Sequence, residues 1–338
     1  MRIAIVTNWV PFLRGGAERL ADGLLENLRA RGHEAVLVKL PFRWQPPEKV
    51  VEHMLACRAV RIRNADRIIG LKFPAYYVPH PDKTLWLVHQ FRQAYDLWGT
   101  PHQDLPATHE GLRIRDVVRA SDSRFLRECR RTYAISPVVS ERLRRFNGID
   151  AETLYPPFAD ASGFVCESYG DTVFCPGRIT AVKRQHLAVE AMRYVETPVR
   201  LIVAGEPETP EDLARIEAAA AGLEDRVRII PRFITEREKR DLYANALACA
   251  CVPYDEDFGY VTLEAYLSRK PVLTCTDSGG AAMLVPGALP ADARALAAAM
   301  DALYNDRRRA RELGEAGYEA VRALDLSWDN VVARLMAR

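Results

Sequence analysis

Apolar residues fall in short runs along this chain, and between the runs they recur at the spacing of an amphipathic helix. The first run, "MRIAIVTNWV", ends in polar and turn-forming residues. Helical spacing follows from about Ala17 to Arg31, closed by Gly32, and "EAVLVKL" is the next run. Strand, helix and strand in that order predict a β-α-β unit, the start of a parallel sheet. The alternation continues through "ADRIIGL", "TLWLVHQ" and "RTYAIS" and breaks at "TLYPPFAD", because Pro156-Pro157 continue neither a helix nor a central strand. It then restarts with "DTVFCPG", a helix from about Lys183 to Tyr194, "VRLIVAG", "RVRIIPRF", "ALACACVPY" and "KPVLTC", with helices between them. The pattern shows neither an internal repeat nor a low-complexity tract.

The prediction is therefore an α/β protein with two domains, 1–155 and 156–325, each with its own parallel sheet and joined by a hinge at the two prolines. The 338 residues are enough for two cores. A ligand is expected in the cleft between the domains, at the carboxyl ends of strands. No apolar run reaches the roughly 18 residues of a membrane span. The chain enters its first strand without a basic leader and cleavage site, so a cytoplasmic location is expected. The seven cysteines are odd in number and mostly in apolar contexts, and Cys249-Ala250-Cys251 is too tightly spaced for a zinc knuckle, so reduced core thiols are expected.

Charge adds an asymmetry that the total of +2 hides. Residues 1–155 hold 25 Lys/Arg against 17 Asp/Glu, and the remainder 22 against 28. Arginines crowd from Arg113 to Arg145. Basic-aromatic alternation is missing, so nucleic acid is not an expected partner. Two readings of the crowd stay open: solvated helix faces with interleaved acids, or a surface that meets an anionic membrane or a lipid-diphosphate acceptor.

Four stretches carry candidate chemistry. In "YDEDFGYVTLEAYLSRKPVLTC", Glu256 falls in a loop after a strand and Glu264 about one turn into the next helix. Eight helical residues span about 12 Å, and hydrolytic carboxylate pairs face one bond at roughly 5–9.5 Å. The pair therefore suits the two ends of an elongated ligand, with a helix N-terminus between them that favours phosphate. In "FCPGRITAVKRQHLAVEAM", Arg178 and Lys183 flank a strand-to-helix loop and form a candidate diphosphate site. In "RGGAERL", Gly15-Gly16 allows a tight turn and close approach of a ligand to backbone amides. In "LVHQFRQAYDLWG", His89 ends an apolar strand and is placed facing the cleft, while Arg92 and Asp96 are spaced to pair with each other. Each stretch also has a plainer reading, as an acidic loop, surface cations, a simple turn and a structural histidine.

Together the four stretches resemble the family 4 retaining glycosyltransferases, which have the two-domain GT-B fold with parallel sheets facing across a cleft. The carriers are "EDFGYVTLEAYLSRKPVLTCTDSGG", "PGRITAVKR" and "PFLRGGAERLADGLLENLRARGHE", and the likeness runs on to "LSWDNVVARL". It implies that residues 326–338 form a helix crossing back to the first domain. It also implies Arg178 and Lys183 on the donor diphosphate, Glu256 on sugar hydroxyls, backbone of Phe258 and Gly259 nearby, Glu264 on the ribose and Phe233 against the base. His89 would lie at the reaction centre, and Gly15 and Gly16 would approach donor phosphate and acceptor. The sequence departs from the family after Gly279-Gly280, where Ala281 replaces proline, Met283 stands where glutamate is usual, and the following segment is short.

The implied reaction is metal-independent transfer of a hexosyl group, with retention, from a UDP- or GDP-linked sugar to a hydroxyl of a glycan or lipid-linked acceptor, without a cofactor. The expected location is the cytoplasm, at the inner face of the membrane. The rival readings are a nucleotide-sugar epimerase or hydrolase on the same scaffold, and a non-catalytic sugar-nucleotide-binding subunit.

Overall fold

The structure, a computed structural model, describes residues 1–11, 15–158 and 161–337. The chain divides into two compact units: Met1–Ala159 together with Asp325–Arg338, and Asp160–Leu324.

The first unit contains β1 (Arg2–Trp9), α1 (Gly16–Ala30), β2 (Glu34–Pro41), α2 (Lys49–Ala59), β3 (Arg67–Lys72), β4 (Lys83–His89), α3 (His109–Phe125), β5 (Arg131–Ala134), α4 (Pro137–Asn147) and β6 (Glu152–Thr153). Its six strands are parallel, in the order β2-β1-β3-β4-β5-β6. Sheet order reverses between β1 and β3, so ligand-binding loops are expected beyond their carboxyl ends. β1 is buried from Ile3 to Asn8, as a strand covered on both faces should be. Local chemistry sets the helix ends. Ser136 caps α4 by accepting from the Val139 amide, and Pro137 occupies the first helical position, where no amide donor is needed.

The second unit contains β7 (Thr172–Pro176), α5 (Gln185–Ala191), β8 (Arg200–Ala204), α6 (Pro210–Ala220), β9 (Val227–Ile230), α7 (Glu236–Asn245), β10 (Ala248–Ala250), α8 (Tyr260–Leu267), β11 (Val272–Leu273), α9 (Ala293–Asn305) and α10 (Arg307–Arg322). Its five strands are also parallel, ordered β11-β10-β7-β8-β9. Here the switch point lies between β7 and β10, whose following loops are 177–184 and 251–259. The core gathers Val173, Cys175, Leu201, Val203, Ala248 and Ala250 from the sheet with Leu296 and Met300 from α9.

After the second unit the chain forms α11 (Trp328–Met336), which belongs to the first unit. Its Trp328 ring packs edge-on to Trp86 at 6.4 Å and lies over Gly23 of α1, where an added Cβ would meet Trp328 at 2.6 Å. Arg67 donates to the carbonyls of Leu335 and Ala337, and the Tyr133 hydroxyl to that of Arg334.

One helix differs from its expected span. The stretch expected to be helical from Lys183 starts instead with a 3-10 turn, Ala181–Lys183, and α5 begins at Gln185. Arg184 between them has φ of 52°, a left-handed conformation that costs a non-glycine residue about 1–2 kcal/mol and breaks the helix. All seven cysteines are free thiols, five of them buried, and burial pushes Cys57 and Cys251 up to about 12.

Candidate active site

Three loops meet at the switch point of the second sheet, and Arg184 holds them together. Its Nε and Nη2 donate to the carbonyls of Val252 and Pro253, both at 2.9 Å. Its Nη1 and Nη2 form a fork on Asp277, at 2.8 and 2.6 Å. The 254–258 and 277–280 segments then run side by side: the Asp255 amide donates to Asp277 O, Glu256 to Ser278 O, and Gly280 back to Glu256 O. The Gly280 amide is committed to that bond, and those of Ala281 and Ala282 close turns onto Ser278 and Gly279.

This frame aims Lys183 and Glu256 at one another, and they form an ion pair. Burial works against the charge of Lys183, but the Glu256 carboxylate outweighs it and holds the ammonium above its ordinary value. The residue assigned to a diphosphate and the residue assigned to a sugar thus neutralise each other in this state. Arg178 is half exposed, with its guanidinium 3.7 Å from Glu208.

Gly259 caps α8 with φ of 87°, and a Cβ there would sit 2.6 Å from the Ala281 Cα. Left-handed backbone and close approach both require glycine. Phe258 beside it is buried, its ring 5.0 Å from that of Tyr260, so only its backbone is placed to face a ligand. Glu264 lies one turn into α8 and is 9% exposed. Lys239 of α7 donates to its Oε1 at 2.6 Å and the Tyr243 hydroxyl to its Oε2 at 3.1 Å. Each carboxylate oxygen has a second lone pair, so a vicinal diol can still be bound. Phe233, after β9, is 66% exposed, a large apolar ring presented to solvent.

In the first unit, Gly15 has extended backbone (φ −140°) and serves as the cap of α1. The tight turn expected at Gly15-Gly16 is not what Gly15 adopts; Gly16 begins the helix, and Arg14 lies outside the described residues. The Gly15 amide donates to Glu18 Oε2 at 2.8 Å, and Lys72, at the end of β3, donates to Glu18 Oε1 at 3.0 Å. Burial alone would raise the Glu18 carboxyl, but Lys72 and the Gly15 amide hold it below its ordinary value. His89 ends β4 in register with Lys72, and its Nδ1 lies 2.8 Å from the Gln90 carbonyl oxygen.

The Gln90 side chain turns inward to a buried network that the sequence reading missed. Asp122 of α3 is fully buried and accepts from Tyr76 and Tyr77 on one oxygen and from Tyr95 and Gln90 on the other, at 2.7–3.0 Å. Gln90 also donates to Asn147 at 2.9 Å. Burial pushes Asp122 up to about 6 against the pull of these donors. The network pins the chain on both sides of the turn that follows His89.

Much of the arginine crowd is used internally. Arg115, Arg119 and Arg145 lie over the rings of Trp98, Tyr95 and Phe146, and Arg127 donates to the Asn147 carbonyl. Arg92 pairs with Asp96 at 2.7 Å, and Arg142, 11% exposed, lies 3.8 Å from the same carboxylate. Arg113, Arg124, Arg130 and Arg144 stay exposed, and Leu112 and Val117 are exposed on α3 beside Arg113.

No cluster of three or more His, Cys, Asp or Glu able to hold a metal ion occurs among the described residues. No helix among them is long and apolar enough to cross a membrane. The site contributions of Arg184, Asp277 and Lys239 had no clear sequence signal: Arg184 follows Lys183 as one more cation, and Lys239 sits in "EREKRD", which reads as a solvated helix face.

Residues 168–320, most of the second unit, match the family Glycosyl transferases group 1. The D-inositol 3-phosphate glycosyltransferase of Xylanimonas cellulosilytica is 29% identical over 205 residues, 56% of this chain and 48% of that protein. The chain spans about half the length of the curated relatives it matches. Among solved structures, sucrose-phosphate synthase of Thermosynechococcus elongatus superposes with a TM-score of 0.76 at 21% identity, covering 99% of this chain and 97% of that one. Anabaena HepE in complex with UDP and glucose gives 0.71 at 17%, covering 99% of each. The fold is GT-B, two α/β units each built on a parallel sheet.

Proposed function

We propose that this chain is a retaining glycosyltransferase that moves a hexosyl group from a nucleotide diphosphate sugar to an acceptor hydroxyl. The observation that carries the reading is the Lys183–Glu256 pair at the switch point of the second sheet, within the segment that matches the glycosyltransferase family. A diphosphate would draw the Lys183 ammonium from Glu256, freeing that carboxylate to accept sugar hydroxyls. Arg178 would add a second cation from its exposed position. Bond breaking puts charge on the leaving diphosphate, and cations held in place stabilise it without reorganising. Glu264, oriented by Lys239 and Tyr243, would take the ribose diol, and Phe233 would stack on the base.

From the resemblance, His89 is assigned a role at the transferred sugar, and Gly15 and Gly16 roles on donor phosphate and acceptor. Attack on the same face of the sugar, with the leaving phosphate accepting the acceptor's proton, accounts for retention without a carboxylate nucleophile. The reaction needs neither metal nor cofactor. UDP is the favoured donor nucleotide, since HepE was solved with UDP and glucose, and GDP is the second choice. The acceptor is a glycan or a lipid-diphosphate-linked glycan, met from the cytoplasm at an anionic membrane through the exposed arginines and apolar residues of α3.

A panel of UDP-, GDP- and ADP-sugars in a thermal-shift assay tests the donor. A ligand at 100 times its dissociation constant adds about 2.7 kcal/mol of stability. NMR of the product's anomeric configuration then tests retention. Silence across the whole panel, an inverted product, or only free or epimerised sugar would each defeat the proposal.

A further inference from the structure

We propose that Cys166 and Lys270 are a redox modification site, at which peroxide joins the two side chains by a sulfur–nitrogen bond. The pair lies in the second unit, away from the Lys183–Glu256 site and independent of its function. Residues 164–170 form a strap leading into β7, and Lys270 sits in the turn between α8 and β11. Lys270 is fully buried. Its Nζ donates to the Ser168 carbonyl and, at 3.0 Å, to Cys166 Sγ, and lies 4.3 Å from the centre of the Tyr169 ring. No carboxylate pairs with it among the described residues.

A buried ammonium whose neighbours are a carbonyl, a thiol and a ring is poorly compensated. Burial lowers the proton affinity of Lys270, outweighing the opposing pull of Cys166 and of the Glu167 carboxylate, and so raises its share of free amine. Cys166 is a partly exposed residue, open to a small oxidant, whereas Cys57, Cys175, Cys249, Cys251 and Cys275 are buried. Nitrogen and sulfur already touch, so a bond between them needs little backbone movement.

The strap does not depend on this contact for its place. The amides of Glu167 and Ser168 donate to Ala244, that of Gly170 to Asn245, and the Tyr169 hydroxyl to Arg269. A change at Cys166 therefore leaves the fold intact.

The chemistry balances in two steps. Hydrogen peroxide oxidises the Cys166 thiol to a sulfenic acid: the O–O bond breaks, sulfur gains a hydroxyl and water leaves. The neutral Lys270 amine then attacks sulfur, the S–O bond breaks, and the hydroxyl departs as water with one nitrogen proton. Such condensation of a sulfenic acid with a nitrogen is an established branch of cysteine oxidation. The net change is the loss of two hydrogens.

The test is peroxide treatment of the full chain, followed by intact mass and peptide mapping. The expected product is lighter by two hydrogens, contains a peptide pair joined at Cys166 and Lys270, and reverts with dithiothreitol. Cys129, also partly exposed, is an internal control: Lys83 acts on its thiol only through charge, its ammonium donating to Tyr76, Phe125 and Glu128, so Cys129 should gain oxygen without linking to lysine. C166S should abolish the link and retain the wild-type circular dichroism. Oxidation of Cys166 to sulfinic or sulfonic acid with Lys270 unlinked would overturn the proposal. So would an unreacted Cys166 in protein whose Cys129 is oxidised, or a linked product that keeps an oxygen between the two atoms.

Discussion

Arg184→Ala should destabilise the second unit, and Arg184→Gly should do so less, although both remove the same contacts. The side chain supplies two bonds to the buried carbonyls of Val252 and Pro253 and a fork on Asp277. Hydrogen bonds from a charged donor contribute about 1.5–3 kcal/mol each when well buried. Asp277 is 39% exposed, so water replaces much of the fork, which is discounted to about 1 kcal/mol. Allowing the orphaned carbonyls partial rehydration, the alanine variant should lose about 3 kcal/mol. Alanine keeps the strain of φ 52°; glycine relieves about 1 kcal/mol of it and should lose about 2. Urea unfolding followed by far-ultraviolet circular dichroism measures both losses. All five tryptophans (Trp9, Trp44, Trp86, Trp98 and Trp328) lie in the first unit, so their fluorescence separates its transition. Nucleoside diphosphate affinity should fall in both variants, because Lys183 and Glu256 sit on the loops that Arg184 ties. Equal destabilisation by alanine and glycine would refute the strain argument, and unchanged stability in alanine would refute the frame itself.

Further outcomes follow from the same geometry. Glu264→Ala should weaken nucleotide binding in calorimetry, while Glu256→Ala should lower turnover yet leave diphosphate affinity equal or higher, because Lys183 is then released from its partner; weakened binding in both variants would remove the two-ended clamp. Lys183→Ala should cost UDP about 1.5–3 kcal/mol and uridine almost nothing, with Arg178→Ala smaller because its side chain is 47% exposed; equal losses for both ligands would place these cations off the diphosphate. Asp122 titrates near 6 when folded, against about 3.9 unfolded. The folded state therefore holds the proton more tightly, and this stability is full below pH about 4 and lost as pH rises to about 6, some 2–3 kcal/mol in all. The stability difference between wild type and Asp122→Asn should shrink by that amount from pH 4 to 7, and a flat difference would contradict it. Sedimentation with anionic liposomes should occur at low salt and reverse at high salt, weakened by charge reversal at Arg113, Arg124 and Arg144; Arg142 is left out because it is turned toward Asp96.

The strands and the two-unit α/β architecture were legible because buried parallel strands leave continuous apolar runs in any sequence. The loops that carry Arg178, Lys183 and Glu256 were legible for a related reason, since loops after switch-point strands sit between readable elements. Arg184 escaped because its importance lies in a backbone angle and in carbonyls some 70 residues away. Asp122 escaped because its donors, Tyr76, Tyr77, Gln90 and Tyr95, are scattered and each looks like an ordinary core or loop residue alone. Gly15 has a role that the glycine pair alone does not signal: the reach of Glu18 back to its amide makes it a helix cap. Periodicity reports what each segment does with its own neighbours; convergence of distant side chains leaves no period to detect.

The membership of α11 in the first unit has a consequence for the order of events during synthesis. The second unit is an insertion between two parts of the first, and all of its residues have been joined to the chain before Trp328 is added. Until then Trp86 lacks its edge-on neighbour, and the groove over Gly23 lacks the indole that fills it. The unit begun first on the ribosome is the unit finished last.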